Sequence, residues 1–132
     1  MEQPVIVILG ASGGIGSQIS QQLAHKGVKV ICAGRSLEKL TPLAEAISGE
    51  AVQCDGTSSA EVDALFQGVF ERYGRVDGAA NLIGSIVLKP VHLTSDEEWT
   101  RTISLNLNSA FYLLRSAVRV MKGGGSVLLC ST

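Results

Sequence analysis

The chain has 132 residues, 45% of them hydrophobic and 17% charged, and its formal net charge is −1. This length predicts one domain, and the apolar content excludes intrinsic disorder. The near-neutral charge, with no basic run, argues against a nucleic-acid partner, and no apolar stretch approaches the ~20 residues that span a bilayer.

Short apolar runs alternate with amphipathic segments along the chain. The first segment carries Ile15, Ile19 and Leu23 on one helical face and ends at Gly27. The apolar runs have the length and the continuous hydrophobicity of strands buried on both faces of a sheet. The predicted strands cover residues 4–9, 28–33, 51–54, 76–82 and 126–130.

Small polar residues mark where the next two helices begin. Ser36 precedes an apolar stripe that continues to residue 47, although Pro42 weakens this prediction. Ser58 or Ser59 caps a third helix, and Gly74 follows its end.

The last helical segment is predicted from its cap and its stop signal. Thr94-Ser95-Asp96-Glu97 has capping-box spacing, with Thr94 as the cap. The segment then extends through Trp99 to Met121, with room for one break, and Gly123-Gly124-Gly125 stops it. Five strands alternating with helices predict an α/β fold with a doubly wound, Rossmann-like parallel sheet.

The three cysteines, Cys32, Cys54 and Cys130, stand at the ends of apolar runs and are predicted to be small buried residues of strands. Their odd number and wide spacing exclude a Cys-x-x-Cys zinc site, so we expect no metal. Unpaired cysteines and the absence of a basic leader at the N-terminus favour a cytoplasmic protein.

The segment Gly10–Gly16 joins the first strand to the first helix, where doubly wound sheets bind ligands. Free N–H groups at a helix start attract phosphate, and glycine lets a dinucleotide approach the backbone. The spacing is G-x-x-x-G-x-G rather than the general G-x-G-x-x-G, and a tight turn without a ligand explains glycines equally well. The candidate cofactor-binding residues here are Gly10, Ser12, Gly13, Gly14, Ile15 and Gly16.

Arg35 follows the second strand, where NAD-binding domains carry an acid for the ribose hydroxyls. A guanidinium at this position can hold a 2′-phosphate, so the sequence predicts a preference for NADP(H) over NAD(H). The alternative is a solvated surface arginine. The missing acid also argues against a methyltransferase.

Taken in order, these features resemble the N-terminal portion of the short-chain dehydrogenase/reductase family. The resemblance extends over the whole chain and predicts a single NAD(P)-binding Rossmann domain over residues 1–132. The matching positions are Gly10, Gly14 and Gly16 of the glycine loop, Gly34-Arg35, Asp55, Asn81 and Gly84 of Asn81-Leu82-Ile83-Gly84, Asn106, and the strand ending at Ser131-Thr132.

The resemblance implies a role for each matched residue. Asp55, followed by Gly56, would contact the adenine edge, and Asn81 and Gly84 would border the cofactor. Asn106 corresponds to the asparagine of the family's catalytic tetrad. The hydroxyl that orients the substrate carbonyl would come from Ser131 or Thr132, because the gap-free alignment selects Thr132 and a one-residue shift selects Ser131.

The chain departs from the family pattern at several positions. Leu9 replaces a threonine, and Leu82 replaces the second asparagine. The family's Tyr-x-x-x-Lys pair has no counterpart before Thr132, so we expect the C-terminal part of the enzyme to be missing from this chain. We also expect the fifth strand to have an open edge.

These features predict an NADP(H)-dependent oxidoreductase acting on a small-molecule carbonyl or alcohol, with the 132-residue chain itself inactive and binding NADP(H) weakly at best. The complete protein is expected to be a homo-oligomer, a dimer or tetramer, with no membrane partner. Two alternatives are a non-catalytic NAD(P)-binding module and a structural subunit. Residues Phe111, Tyr112 and Leu114 are predicted to pack in the core rather than at an interface.

Overall fold

The computed structural model describes residues 3–131, which form alternating strands and helices. The strands are β1 Val5–Leu9, β2 Lys29–Gly34, β3 Glu50–Gln53, β4 Gly78–Asn81 and β5 Ser126–Leu129. The helices are α1 Gly14–His25, α2 Leu37–Ala46, α3 Ser59–Tyr73, α4 Asp96–Ile103 and α5 Ser109–Val120. A 3-10 turn covers Val91–Leu93, and a π turn covers Ser104–Asn108.

The strands pair in parallel in the order β3-β2-β1-β4-β5. Val7 of β1 is therefore in register with Ile31 of β2 on one side and with Ala79 of β4 on the other. The chain moves outward from β1 through β2 to β3, then returns across β1 to β4 and moves outward again. This confirms the predicted doubly wound sheet, and it places the reversal of direction between β1 and β4.

The hydrophobic core lies on both faces of the sheet. On one face, Phe66 of α3 and Leu113 of α5 are fully buried against the strands. On the other, Leu40 of α2 packs with Ile8 and Val30. The sheet is thus covered by helices on both sides, which explains why its strands are continuous apolar runs.

The last helical segment differs from its prediction in two details. The cap is Ser95 rather than Thr94, since the Ser95 Oγ accepts a hydrogen bond from the Glu98 N–H at 3.1 Å while Glu98 Oε1 accepts from the Ser95 N–H. The helix also continues without a break, because a π turn joins α4 to α5.

Three residues that were predicted to be buried are exposed. Cys130 is exposed because it follows β5, an edge strand that pairs with β4 alone within residues 3–131. Phe111 and Leu114 are 54% and 40% exposed on the outer face of α5, whereas Tyr112 packs against the core. Within residues 3–131 the other edge of β5 pairs with no strand, and the prediction that further strands would pair there stays a prediction.

We predict that Phe66→Ala lowers the free energy of unfolding by about 3–5 kcal/mol, because it leaves a cavity where the largest fully buried side chain packs. The half-exposed Phe111 serves as the control, and Phe111→Ala should cost under about 1 kcal/mol. Urea unfolding followed by circular dichroism measures both, and equal losses would contradict the assignment of the core.

The free energy of unfolding is expected to depend on pH through the carboxylate of Asp77. This carboxylate accepts two hydrogen bonds from Arg75, each 2.8 Å, and a third of 2.8 Å from the Val5 N–H at the start of β1. The hydrogen bonds from Arg75 are the main reason that the pKa of Asp77 lies below its usual value, and the Val5 N–H adds to the effect.

A lowered pKa means that the folded state binds protons less readily than the unfolded state. The stabilisation is therefore complete above the ordinary aspartate pKa of about 3.9, and it is lost as the pH falls through the lower folded value. We expect Asp77→Asn to destabilise the protein at about pH 6, and we expect its difference from the wild type to shrink as the pH falls from about 4 towards 2. Urea unfolding at these pH values measures this, and a constant difference would contradict it.

Candidate functional site

A cleft of about 1050 Å³ opens at the carboxyl ends of β4 and β5 and borders the start of α1. The cleft lies beside the point where the strand order reverses, at the end of the sheet where doubly wound folds bind their ligands. Its lining includes Ile15, Asn81, Leu82, Ile83, Gly84, Asn106, Cys130 and Ser131.

Two glycines of the loop after β1 are required by the packing of the chain. Gly10 has a φ of +90°, and a Cβ there would lie 2.9 Å from the backbone carbon of Leu82. A Cβ at Gly16 would overlap the carbonyl oxygen of Gly10. These glycines allow the loop, α1 and the chain after β4 to approach one another closely.

Gly13 and Gly14 are different, since the described chain does not need glycine at either position. A Cβ at Gly14 would meet no atom within 4 Å, and one at Gly13 would meet only the Gly10 carbonyl oxygen at 3.5 Å. Both glycines are exposed at the start of α1, next to exposed Ser12 and Ile15. No side chain caps this helix and its first turn holds no acid, so its N–H groups remain available to an anion.

Arg35 and Asp55 lie on the β2 and β3 side of the glycine loop. Arg35 is exposed, and its backbone oxygen accepts a hydrogen bond of 3.1 Å from Gln53 Nε2. The Asp55 carboxylate accepts from the Thr57 N–H at 2.9 Å and from the Thr57 hydroxyl at 2.7 Å. These two hydrogen bonds, with a smaller contribution from the charge of Arg35, hold the pKa of Asp55 below its usual value.

Asn81 ties the end of β4 to the helix that begins behind the π turn. It is only 4% exposed, and its Nδ2 donates to the Ser109 Oγ at 3.0 Å. The Ser109 hydroxyl in turn donates to the Leu105 carbonyl at 2.7 Å. The Asn81 Oδ1 accepts from the Ile83 N–H at 3.3 Å, so one buried side chain fixes the path of the loop after β4.

Asn106 lies within the π turn and holds the same loop from the other side. Its Oδ1 accepts from the Ser85 N–H at 3.1 Å, and its Nδ2 donates to the carbonyls of Ser85 and Thr102 at 3.0 and 2.9 Å. A Cβ at Gly84 would lie 2.8 Å from Asn106 Oδ1, so this close approach requires glycine. π turns occur frequently at functional sites.

Ser131 is exposed and lines the cleft beside Cys130, whereas Thr132 lies outside the described residues. The choice between the two hydroxyls therefore stays a prediction. Of the predicted site residues, those that line the cleft are Ile15, Asn81, Gly84, Asn106 and Ser131, whereas Arg35, Asp55 and Gly56 lie outside its lining. Sequence reasoning missed the anchoring partners Ser85 and Ser109, because isolated serines carry no pattern that distinguishes them.

Within residues 3–131, no helix is long and apolar enough to cross a membrane. The same residues contain no group of three or more His, Cys, Asp or Glu side chains that could hold a metal ion.

Known proteins are similar to almost the whole chain and not only to its single motifs. The family model for short chain dehydrogenases matches residues 4–132. A 3beta-hydroxysteroid dehydrogenase from Mediterraneibacter gnavus is 31% identical over 134 residues, covering 97% of this chain and 49% of that protein. The chain thus spans about half the length of the relatives that it matches.

Solved structures agree with the fold and with the family. A short-chain type dehydrogenase/reductase from Mycobacterium ulcerans superposes with a TM-score of 0.90 at 26% identity, covering 96% of this chain and 50% of that one. An actinorhodin polyketide ketoreductase variant, crystallised with NADPH, gives a TM-score of 0.89 at 27% identity and covers 96% and 53%. The chain belongs to the short-chain dehydrogenase/reductase family.

Proposed function

We propose that the protein is an NADP(H)-dependent oxidoreductase that acts on a small-molecule carbonyl or alcohol, and that this chain supplies its cofactor-binding half. The observation that carries the proposal is the exposed Arg35 at the end of β2, close enough to Asp55 to lower its pKa. Arg35 follows the carboxyl end of β2, and the uncapped start of α1 follows the carboxyl end of the neighbouring β1, so both lie at the same end of the sheet. A cation here suits a 2′-phosphate, which NADP(H) has and NAD(H) lacks.

The residues present fit a dinucleotide phosphate. The exposed Gly13, the open space at Gly14 and the N–H groups at the uncapped start of α1 would receive the pyrophosphate. Arg35 would bind the 2′-phosphate, and we assign the exposed Ser12 of the glycine loop to the same cofactor. The ionised Asp55 and its neighbour Gly56 would border the adenine, while Asn81 and Gly84 would border the cofactor on the side of the cleft.

The nicotinamide supplies the hydride donor or acceptor when the cofactor is bound. The residues of this chain position the cofactor and the substrate, and none of them supplies the hydride. Asn106 is a positioning residue that holds the loop after β4 through Ser85. The hydroxyl of Ser131, or that of Thr132, would donate a hydrogen bond to the substrate carbonyl and so orient it at the cleft.

Two comparisons support this function. The related 3beta-hydroxysteroid dehydrogenase is named for oxidation of an alcohol, and the related ketoreductase was crystallised with NADPH. We also propose a cytoplasmic homo-oligomer. The exposed apolar residues Phe111, Leu114 and Val118 on α5 support a contact between subunits.

We predict that Arg35→Ala weakens NADPH binding about 10- to 100-fold, because the loss of a charged hydrogen bond to phosphate costs roughly 1.5–3 kcal/mol. NADH binding should change less than about threefold, since NADH has no 2′-phosphate. Titration of the natural full-length protein by cofactor fluorescence measures both constants. Arg101→Ala is the control because it removes an exposed charge from α4. Equal affinity of the wild type for NADPH and NADH would contradict the cofactor assignment.

A second prediction separates the two kinds of glycine in the loop. Gly14→Ala should leave the melting temperature unchanged or slightly raised, because alanine favours helix and meets no atom within 4 Å. It should nevertheless weaken NADPH binding by about 10-fold, since the added methyl group would occupy the space that we assign to the pyrophosphate. Gly16→Ala should lower the melting temperature instead, because its Cβ overlaps the Gly10 carbonyl oxygen.

Circular dichroism melts and NADPH titration of both variants test this distinction. Gly68→Ala in α3 is the matched control, and it should leave NADPH binding unchanged. Wild-type affinity for NADPH in Gly14→Ala would show that the open space at Gly14 is not the phosphate site.

A further inference from the structure

The part of the cleft that extends from Asn106 towards the start of α4 is lined by one face of a helical segment. Trp99, Ile103 and Asn106 all line the cleft, and their spacings of four and three residues place them on the same side of that segment. α4 buries none of its own residues, and Trp99 is 63% exposed. The helix therefore presents a large aromatic side chain to the cleft and not to the core.

The loop after β4 is bound to this helical segment at two points. At one end, Asn106 binds both backbone groups of Ser85. At the other, the Lys89 Nζ lies 2.9 Å from Glu98 Oε1 and 2.8 Å from Glu98 Oε2. Glu98 also accepts a hydrogen bond from the Ser95 N–H, so its carboxylate is fixed at the start of α4. The loop therefore lies along the helix between these two points.

The space between the two points is apolar and elongated. Ile86 and Val87 line the cleft from the loop, and Trp99 and Ile103 line it from the helix. The two points are about two helical turns apart, so the space is about 12 Å long at a rise of about 1.5 Å per residue. We call the space bounded by these four side chains the apolar slot.

The charged groups around the apolar slot offer no free cation. Among the described residues that line the cleft, Lys89 is the only cation and Asp96 is the only carboxylate. Lys89 is already paired with both oxygens of Glu98, and Asp96 is exposed in the first turn of α4. An anionic group at this end would meet two carboxylates and no unpaired cation, and an uncompensated charge is costly to remove from water.

We propose that the apolar slot makes the protein selective for long apolar ketones or alcohols that carry no anionic group at their distal end. The Lys89–Glu98 ion pair is the positioning element that sets the length of the slot. The slot is continuous with Asn106 and Ser131, which the proposed function places at the reacting group, so its occupant is the substrate and not a second copy of the chain. This inference rests on the proposed function and names the substrate class of its site.

Straight-chain 2-ketones test the length of the slot, because the reacting group stays the same while the apolar chain grows. The natural full-length protein is assayed from 2-butanone to 2-tetradecanone by the loss of NADPH absorbance. We expect kcat/KM to rise about two- to fourfold for each methylene that enters the slot. The rise should stop once the chain exceeds about 12 Å.

A matched anion tests the absence of a free cation. In 9-oxodecanoate a carboxylate replaces the terminal methyl group of 2-decanone, while the ketone and the chain length stay the same. Its kcat/KM should be at least about tenfold lower than that of 2-decanone, because the carboxylate would have no unpaired cation beside it.

Two equally exposed apolar residues separate the slot from the general surface. Trp99 lines the cleft, whereas Leu93, which is 62% exposed, does not belong to its described lining. Trp99→Ala should raise the KM for 2-decanone about tenfold, and the KM for 2-butanone less than about twofold, with little change in kcat. Leu93→Ala is the matched control and should leave both KM values unchanged.

Variants of Lys89 test the role of the ion pair. Lys89→Met removes the bond that holds the loop to Glu98, so kcat/KM should continue to rise with ketones longer than about 12 Å. For 2-tetradecanone it should exceed the wild-type value at least about threefold. Lys89→Arg keeps the charge and should restore the wild-type length limit, and Lys39→Met, which changes an exposed lysine of α2, is the control.

Equal KM changes in Trp99→Ala and Leu93→Ala would overturn the inference, and so would equal turnover of 2-decanone and 9-oxodecanoate. An unchanged length limit in Lys89→Met would overturn the role of the ion pair. A Trp99→Ala variant that loses subunit association in sedimentation but keeps the wild-type length preference would show that this face binds a second copy instead. A protein that binds NADPH but reduces all the ketones equally, or none, contradicts this inference alone. A protein that does not bind NADPH overturns the proposed function as well.

Discussion

The reversal of strand order beside β1 is the constraint on which the site depends. β1 pairs with β2 on one side and with β4 on the other, so the connections that follow β1 and β4 cross the sheet in opposite directions. Parallel strands need long crossovers. The helices of these crossovers cover both faces of the sheet and leave the carboxyl ends of the strands accessible. The cleft at the ends of β4 and β5 lies next to this reversal, and every candidate site residue follows the carboxyl end of a strand or lies on a helix at the same end of the sheet.

Polar side chains keep this opening in shape. Asn81 binds Ser109 from the end of β4, and Asn106 binds both backbone groups of Ser85 from the π turn. Asn81 and Ser109 are buried, so each satisfies a polar group of the other that water does not reach, whereas Asn106 and Ser85 are exposed. The two asparagines therefore fix the loop after β4 between them, and this rigidity precedes any contact with a ligand. The replacement of a second asparagine by Leu82 leaves both of these connections intact.

The glycines show how one residue type serves two purposes. Gly10, Gly16 and Gly84 are required by atoms of the chain that lie too close for a side chain. Gly13 and Gly14 are exposed at an uncapped helix start, where a Cβ would meet one atom at 3.5 Å at Gly13 and none at Gly14, so the described chain requires neither glycine. The first group secures the fold, and the second leaves room for a phosphate, which is the physical basis of the proposed cofactor site.

The sequence by itself determined the doubly wound sheet, the order of its elements and the glycine loop, because continuous apolar runs, capping residues and stop glycines are local signals. Only the tertiary structure decided which residues are covered. Cys130 and Phe111 have the apolar character of core residues, yet one follows an edge strand and the other lies on the outer face of α5. The pairing of Lys89 with Glu98 was equally invisible in the sequence, since it joins the loop after β4 to a helix that only the folded chain places beside it.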